Sequence, residues 1–409
     1  MANFDLMRRL AKDSGGKIIL LVMDGLGGLP LEVDGPTELE AASTPNLDRL
    51  AREGSTGMTI PIGRGIEPGS GPGHLALFGY DPLVYDVGRG ALESVGAGLE
   101  IQPGDVVARG NFCTVDEDGL ITDRRAGRIA TEKNAAACAD LSKIELPGVS
   151  LTVMPVKEHR FAISLRGEGL SPHLLDTDPQ VVGKAPLPAR PTPEAEGDPA
   201  AQRTADLVNH FLTEARAILK NHHPANMATL RGFATDPDLP KFKDIYRLKG
   251  ACVAVYPMYK GVSKLVGMDV IPTTDHDTPL DEFQHVAAHW GEYDFFFVHI
   301  KYTDSRGEDG DFDAKVAVIE EVDAALPALL DLQPDVLAVT GDHSTPARLR
   351  SHSFHPVPTL LWAPARHMPD RATRFGEREC MTGALGQFPA QELMQLLMAH
   401  AGRLSRYGA

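Results

Sequence analysis

The chain is 409 residues long and 43% hydrophobic, with a formal net charge of −16; this length accommodates two domains, or one domain carrying a large insertion. So acidic a balance argues against nucleic acid or an acidic membrane surface as partner, because neither polyanion is drawn to it. Cys113, Cys138, Cys252 and Cys380 are scattered and form no C-x-x-C pair, so they read as reduced intracellular thiols rather than a disulfide framework or zinc knot. The N-terminal segment turns charged at Arg8-Arg9 before any long apolar stretch, and no apolar run approaches the roughly 20 residues needed to cross a bilayer. A soluble, cytoplasmic protein without a signal peptide is expected.

In chain order, the run Ile18–Met23 predicts a buried strand, and Asp24-Gly25-Leu26-Gly27-Gly28 a glycine-rich turn at its end. Ser43-Thr44-Pro45 predicts a helix start, with proline early and hydroxyl caps before it. A loop rich in glycine and proline, residues 63–73, then enters a short helix whose first turn carries Ser70. Beyond residue 100 the texture changes to short strands: Val106–Arg109, Arg160–Leu165 and Cys252–Tyr256. Residues 179–199 are rich in proline and alanine without periodicity, which predicts a surface loop. Leu207, Val208, Phe211, Leu212, Ala215 and Leu219 then share one helical face. A strand–helix rhythm resumes through 294–300, 316–319, 336–341 and 359–362, and Pro389 opens a last amphipathic helix. The expected architecture is α/β, a mostly parallel sheet flanked by helices, with a smaller inserted α+β domain. The catalytic domain is read as residues 1–100 and 275–409, and the insert as 101–274.

The residues suited to chemistry come after hydrophobic strands at opposite ends of the chain. Asp24 follows the first strand, Asp304 follows the run at 295–300, and Asp342-His343 follow Val336–Gly341, with His352 in the next loop. Parallel strands place ligand sites beyond their carboxyl ends, so these distant residues have a route to one place. Carboxylates and imidazoles converging there form a two-metal signature. Glu308 lies one helical turn from Asp304 and can address the same ion. Ser70, in Pro68-Gly69-Ser70-Gly71, reads first as an N-cap serine in a glycine turn. Its small neighbours and helix N-terminus also suit a nucleophile that a phosphate approaches closely. His74, one turn on, either approaches this site or packs, and His355 alone reads as a loop histidine.

Read jointly, several motifs carry a family resemblance. Met23-Asp24-Gly25, Ser43-Thr44-Pro45-Asn46, the Pro-Gly-Ser loop before His74-Leu75-Ala76-Leu77-Phe78-Gly79-Tyr80-Asp81-Pro82, Thr340-Gly341-Asp342-His343-Ser344-Thr345-Pro346 and His352-Ser353-Phe354-His355-Pro356 occur in the right order. Between them stand Asn111–Asp116, Asp123-Arg124-Arg125-Ala126-Gly127-Arg128, Glu158-His159-Arg160-Phe161 and Asp176-Thr177-Asp178-Pro179. Over nearly the whole chain this closely resembles the archaeal-type, cofactor-independent phosphoglycerate mutases of the alkaline phosphatase superfamily.

The resemblance implies interconversion of 3- and 2-phosphoglycerate without 2,3-bisphosphoglycerate. Ser70 would form a phosphoserine beside a metal held by Asp24, Asp342 and His343; Asp304, Glu308 and His352 would hold a second. Position 308 is Glu where that superfamily usually has His, which favours Mn²⁺ or Mg²⁺ over Zn²⁺. The insert would recognise substrate and close over it. Its candidates are Arg124, Arg125, Arg128, His159 and Arg160, with Arg231 and Lys260, because guanidinium groups suit phosphate and carboxylate. Asp123 would position a substrate hydroxyl or orient Arg124. The same core also serves phosphatases and other phosphomutases, and a non-catalytic metal- or metabolite-binding homologue is the remaining alternative. Oligomeric state has no signal in the sequence.

Overall fold

The computed structural model describes residues 4–85 and 87–408; the first three residues of the N-terminal segment, where a leader would begin, lie outside them. The chain divides into two compact units, Met1–Asp86 with Leu239–Ala409, and Val87–Asp238.

The first unit is built on an eight-stranded sheet. Its order is Gly386–Pro389, Ser55–Ile60, Val357–Trp362, Val336–Thr340, Ile18–Met23, Phe295–Ile300, Gly250–Ala254 and Asp269–Val270. Only Val357–Trp362 runs against its neighbours; the other pairings are parallel. The central strands are continuous apolar runs because helices cover both faces of the sheet. Ile18–Met23 is entirely buried. Ile19, Leu21 and Met23 join Phe283, Ile319 and Leu326 in one core. On the opposite face Phe297 meets Phe78 edge-on, 4.9 Å between ring centroids. Register fixes where the strands end. Val22 pairs with Thr340 and Met23 with Ile300, so three neighbouring strands finish level and release Asp24, Lys301 and Gly341 at one edge.

The second unit is an antiparallel sheet centred on Val106–Val115, which pairs with Arg160–Arg166 on one side and Met227–Ala234 on the other. Ser150–Lys157 extends it, and Ile121–Asp123 pairs with the end of the central strand. Helices Thr131–Leu141 and Pro199–Leu219 cover one face, packing Phe112, Phe161, Phe211 and Leu219 into a core. The helical face expected at 207–219 is the buried one.

The boundaries differ from those expected at 100/101 and 274/275. Gly250–Ala254 pairs in parallel with Phe295–His299, so this strand and helix Pro257–Leu265 belong to the first unit. A short strand beside glycine has no sequence mark that tells a parallel partner from an antiparallel one. Helix Arg89–Gly96 packs on Val106–Val115 and Met227–Ala234 of the second unit. There a Cβ on Gly90 would sit 1.9 Å from the Gly232 carbonyl oxygen. Among the described residues no helix is long and apolar enough to cross a membrane.

Candidate active site

The first unit carries its polar cluster at the level strand ends. Asp24, Asp342 and His343 are fully buried and Asp304 is 2% exposed. Ser70 is the first residue of helix Ser70–Leu77, and Gly69 takes the N-cap position. The N-cap reading of Ser70 is thereby corrected: its Oγ lies 3.3 Å from His343 Nε2. Gly73 permits the approach of this helix, since a Cβ there would lie 2.6 Å from the Asp342 carbonyl oxygen.

Hydrogen bonds set the tautomer of His343. Thr345 donates its hydroxyl proton to Asp304 Oδ1 at 2.7 Å, so its oxygen accepts from His343 Nδ1–H at 2.9 Å. Nε2 is therefore the unprotonated nitrogen. It faces Asp24 Oδ1 at 3.4 Å and Asp342 Oδ2 at 3.2 Å, two buried oxygens without hydrogen-bond partners among the described residues. Three lone-pair donors aimed at one point beside a serine oxygen repel one another, and a divalent cation is what such a donor set accommodates. The residues present thus fit a metal ion. Burial lowers the pKa of His343, against the opposing pull of Asp342 and Asp24, which keeps the ring neutral and able to ligate. Burial would raise Asp24, but Lys301 and the neighbouring imidazoles outweigh it and hold the carboxyl well below the usual range.

A second donor group adjoins the first: ligand atoms of Asp304, His343 and His352 lie within 4.8 Å of one another, as do those of Asp24, Asp342 and His343. His352 donates Nδ1–H to the Pro68 carbonyl at 2.9 Å, turning Nε2 toward Asp304 Oδ1 at 3.6 Å. Glu308 is on the same helix as Asp304, Tyr302–Asp309. Its Oε1 is 3.9 Å from His352 Nε2 and its side chain is 55% exposed, so it stands at the rim of this group.

Further residues support these donors; of them the sequence had singled out only His74, as a residue that either approaches the site or packs. His74 sends Nδ1–H to the Ser70 carbonyl at 2.7 Å and lies 3.2 Å from Asp342 Oδ2. Tyr259 donates to Asp24 Oδ2 and stacks on His299, 3.5 Å between centroids. Burial first, and then Asp24, raise the Tyr259 pKa well above the usual value, so it remains a donor. Buried Lys315 donates to the carbonyls of Gly25, Gly27 and Thr345 and ties the loop after Asp24 to the loop after His343. Lys301 was legible as the residue directly after a buried strand; Tyr259 and Lys315 had no such mark.

The second unit holds a cavity of about 280 Å³ on the sheet face opposite helices Thr131–Leu141 and Pro199–Leu219. Alternation along the central strand sends Ala108 and Phe112 into the core and Arg109 and Asn111 to the other face. Arg231 pairs with Arg109 and Arg160 with Asn111 in register, and Arg124, Arg125, His159 and Gln180 complete the lining. Asp178 pairs with Arg124 at 2.8 Å and Arg231 at 3.6 Å, Asp176 with Arg231 at 3.3 Å, and Glu93 with Arg109 at 2.8 Å. Five arginines line the cavity, which suits an anion. Arg128 and Lys260 do not line it; Lys260 is on a helix of the first unit. Asp123 accepts from the backbone N–H groups of Arg125 at 2.8 Å and Gly127 at 2.6 Å, so it shapes the loop, while Asp178 orients Arg124.

Burial, reinforced by Arg160, Arg125, Arg128 and Arg109, lowers His159 from 6.5 to about 4. Below pH 6.5 the unfolded chain takes up a proton that the folded protein refuses until about pH 4, so the stability present above 6.5 declines across that window. In thermal melts, His159→Gln should lose a few degrees less than wild type between those two pH values; parallel losses would contradict a buried neutral ring.

A family model described as 2,3-bisphosphoglycerate-independent phosphoglycerate mutase matches residues 51–226. A Thermus thermophilus protein named a probable 2,3-bisphosphoglycerate-independent phosphoglycerate mutase is 50% identical over 409 residues, covering 99% of both chains. The chain belongs to this mutase family. An Aquifex aeolicus member of the same name is 50% identical over 414 residues, covering 99% of this chain and 100% of its own. Among solved structures, a Pyrococcus horikoshii protein superposes with a TM-score of 0.82 at 30% identity, covering 97% of this chain and 100% of its own. The cofactor-independent phosphoglycerate mutase of Thermoplasma acidophilum gives 0.71 at 34% identity, covering 95% and 100%. The mutase family is one of isomerases.

Proposed function

We propose that the protein interconverts 3-phosphoglycerate and 2-phosphoglycerate through a phosphoserine on Ser70, at a centre for two divalent cations and without 2,3-bisphosphoglycerate. The observation that carries this reading is the convergence of unpartnered Asp24 Oδ1 and Asp342 Oδ2 with His343 Nε2 beside Ser70 Oγ. Cations bound there would lower the pKa of the serine hydroxyl and neutralise charge on the transferring phosphoryl group.

Ser70 Oγ attacks phosphorus in line, forming the seryl P–O bond as the bond to the glycerate oxygen breaks. The proton lost by Ser70 balances the one gained by the departing alkoxide. Glycerate then turns and offers its other hydroxyl to the phosphoserine, reversing the same bond changes. His74 holds the Ser70 carbonyl, Thr345 holds His343, and both keep the nucleophile in place between the two half-reactions. The arginine cavity supports recognition of the substrate's anionic groups, with Asp178 fixing Arg124 and Arg231. Water reaching the phosphoserine would turn transfer into hydrolysis. Glu308 and Asp304 offer oxygen at the second group, which favours Mn²⁺ or Mg²⁺.

The deciding assay supplies 3-phosphoglycerate with Mn²⁺ or Mg²⁺ and follows 2-phosphoglycerate and free phosphate together, with and without 2,3-bisphosphoglycerate. Formation of 2-phosphoglycerate that ignores 2,3-bisphosphoglycerate and releases little phosphate is expected. Phosphate without isomerisation would move the protein to the phosphatases. Metal uptake without turnover would make it a binding homologue.

A further inference from the structure

Lys301 extends from the end of the strand Phe295–Ile300 into the carboxylate cluster. Its ammonium donates to Asp24 Oδ2 at 2.9 Å and to Asp304 Oδ2 at 2.6 Å, and so joins the two donor groups. The oxygens of those groups are unequally engaged. Among the described residues Asp24 Oδ1 and Asp342 Oδ2 have no hydrogen-bond partner, since His74 Nδ1–H, 3.2 Å from Asp342 Oδ2, is committed to the nearer Ser70 carbonyl at 2.7 Å. Both oxygens of Asp304 are taken, Oδ1 by the Thr345 hydroxyl and Oδ2 by Lys301.

We infer that Lys301 is a tethered competitor for the second metal position, so that the group containing Asp24, Asp342 and His343 fills first and the group containing Asp304 fills only as Lys301 is displaced. The inference rests on the metal-centre reading under the proposed function. An ammonium and a divalent cation compete for one carboxylate lone pair, and like charges repel at such separations. Asp24 keeps the Tyr259 hydroxyl when Lys301 leaves, whereas Asp304 Oδ2 becomes open to an ion. Where it now sits, Nζ already lies 5.8 Å from the Tyr259 ring and 5.9 Å from the Tyr256 ring, within cation–π reach, so aromatic faces adjoin it on leaving Asp304.

The test is calorimetric titration of chelator-stripped full-length protein with Mn²⁺, for wild type and Lys301→Met. Wild type should show a tight and a weak class of site. Lys301→Met, of similar length but uncharged, should tighten the weak class about tenfold or more, the scale of one charge-assisted hydrogen bond. Its metal-free melting temperature should fall, and added Mn²⁺ should close the gap to wild type. An unchanged or weaker second class in Lys301→Met would overturn the inference, because Lys301 would then support the bound ion. Two equal classes in wild type would overturn it as well. No Mn²⁺ uptake by wild type would remove the metal-centre reading itself.

Should Lys301→Met fail to fold, acetylation of wild type decides, read by mass spectrometry of the Lys301 peptide. Lys301 should be protected in stripped protein and become reactive as the second equivalent binds. Protection at saturating Mn²⁺ would overturn the proposal.

Discussion

Ser70→Ala should abolish conversion of 3-phosphoglycerate, lowering kcat by at least about 10⁴-fold, the scale of removing a covalent nucleophile. The substitution deletes one oxygen from a side chain that makes no capping bond in its helix. The helix keeps its other anchor, the His74 bond to the Ser70 carbonyl. Melting temperature should therefore change little. No phosphoprotein should form on incubation with substrate, whereas wild type stopped in acid should carry phosphate on the peptide containing Ser70. Retained isomerisation in Ser70→Ala would sink the phosphoserine mechanism while leaving the metal centre standing.

Asp342→Asn should have the second largest effect. The remaining carbonyl oxygen can still accept from Gly25 N–H, the 3.2 Å bond that Oδ1 accepts now. An amide NH₂ then occupies the position of the unpartnered Oδ2, facing the His343 Nε2 lone pair at 3.2 Å. A donor replaces a ligand and one negative charge is lost, so affinity for the tight metal should fall by more than about 100-fold. Turnover at limiting metal should fall with it. The folded protein should survive, because removing a carboxylate from beside buried Asp24 relieves repulsion. Burial first, and then Asp24, push the Asp342 pKa upward, although His343 and His74 hold the net shift below the usual value. Metal content by mass spectrometry and a thermal melt separate the two effects. Full metal occupancy with normal turnover would show that Asp342 is not a ligand.

Much of this centre was legible in the chain because buried parallel strands announce themselves as unbroken apolar runs. Ile18–Met23, Phe295–Ile300 and Val336–Thr340 are each succeeded within a few residues by an acidic residue or an Asp-His pair. Asp24, Asp304, Asp342, His343 and His352 emerge from that rule together with the expectation that strand ends collect ligands. The arginines of Asp123–Arg128 and Glu158–Phe161 were singled out by resemblance, and Arg124, Arg125 and Arg160 do line one cavity.

The remaining features depended on contacts between segments distant in sequence, which local periodicity does not encode. Gly250–Ala254 reads as a strand on either side of a domain boundary; only its pairing with Phe295–His299 decides the unit to which it belongs. From its local motif Ser70 reads first as a cap and by resemblance as the nucleophile; the structure puts the cap at Gly69 and the Ser70 Oγ beside His343. Arg109, Glu93 and Asp178 acquire roles only when sheet register and loop packing set guanidinium against carboxylate. The sequence alone determined which strands are buried and which ligand types come after them, since burial pattern and residue chemistry are properties of a segment. The tertiary structure decided which lone pairs remain open and which are engaged by Lys301, Tyr259 and Thr345, since a hydrogen bond depends on distance and angle between atoms that the chain order leaves far apart.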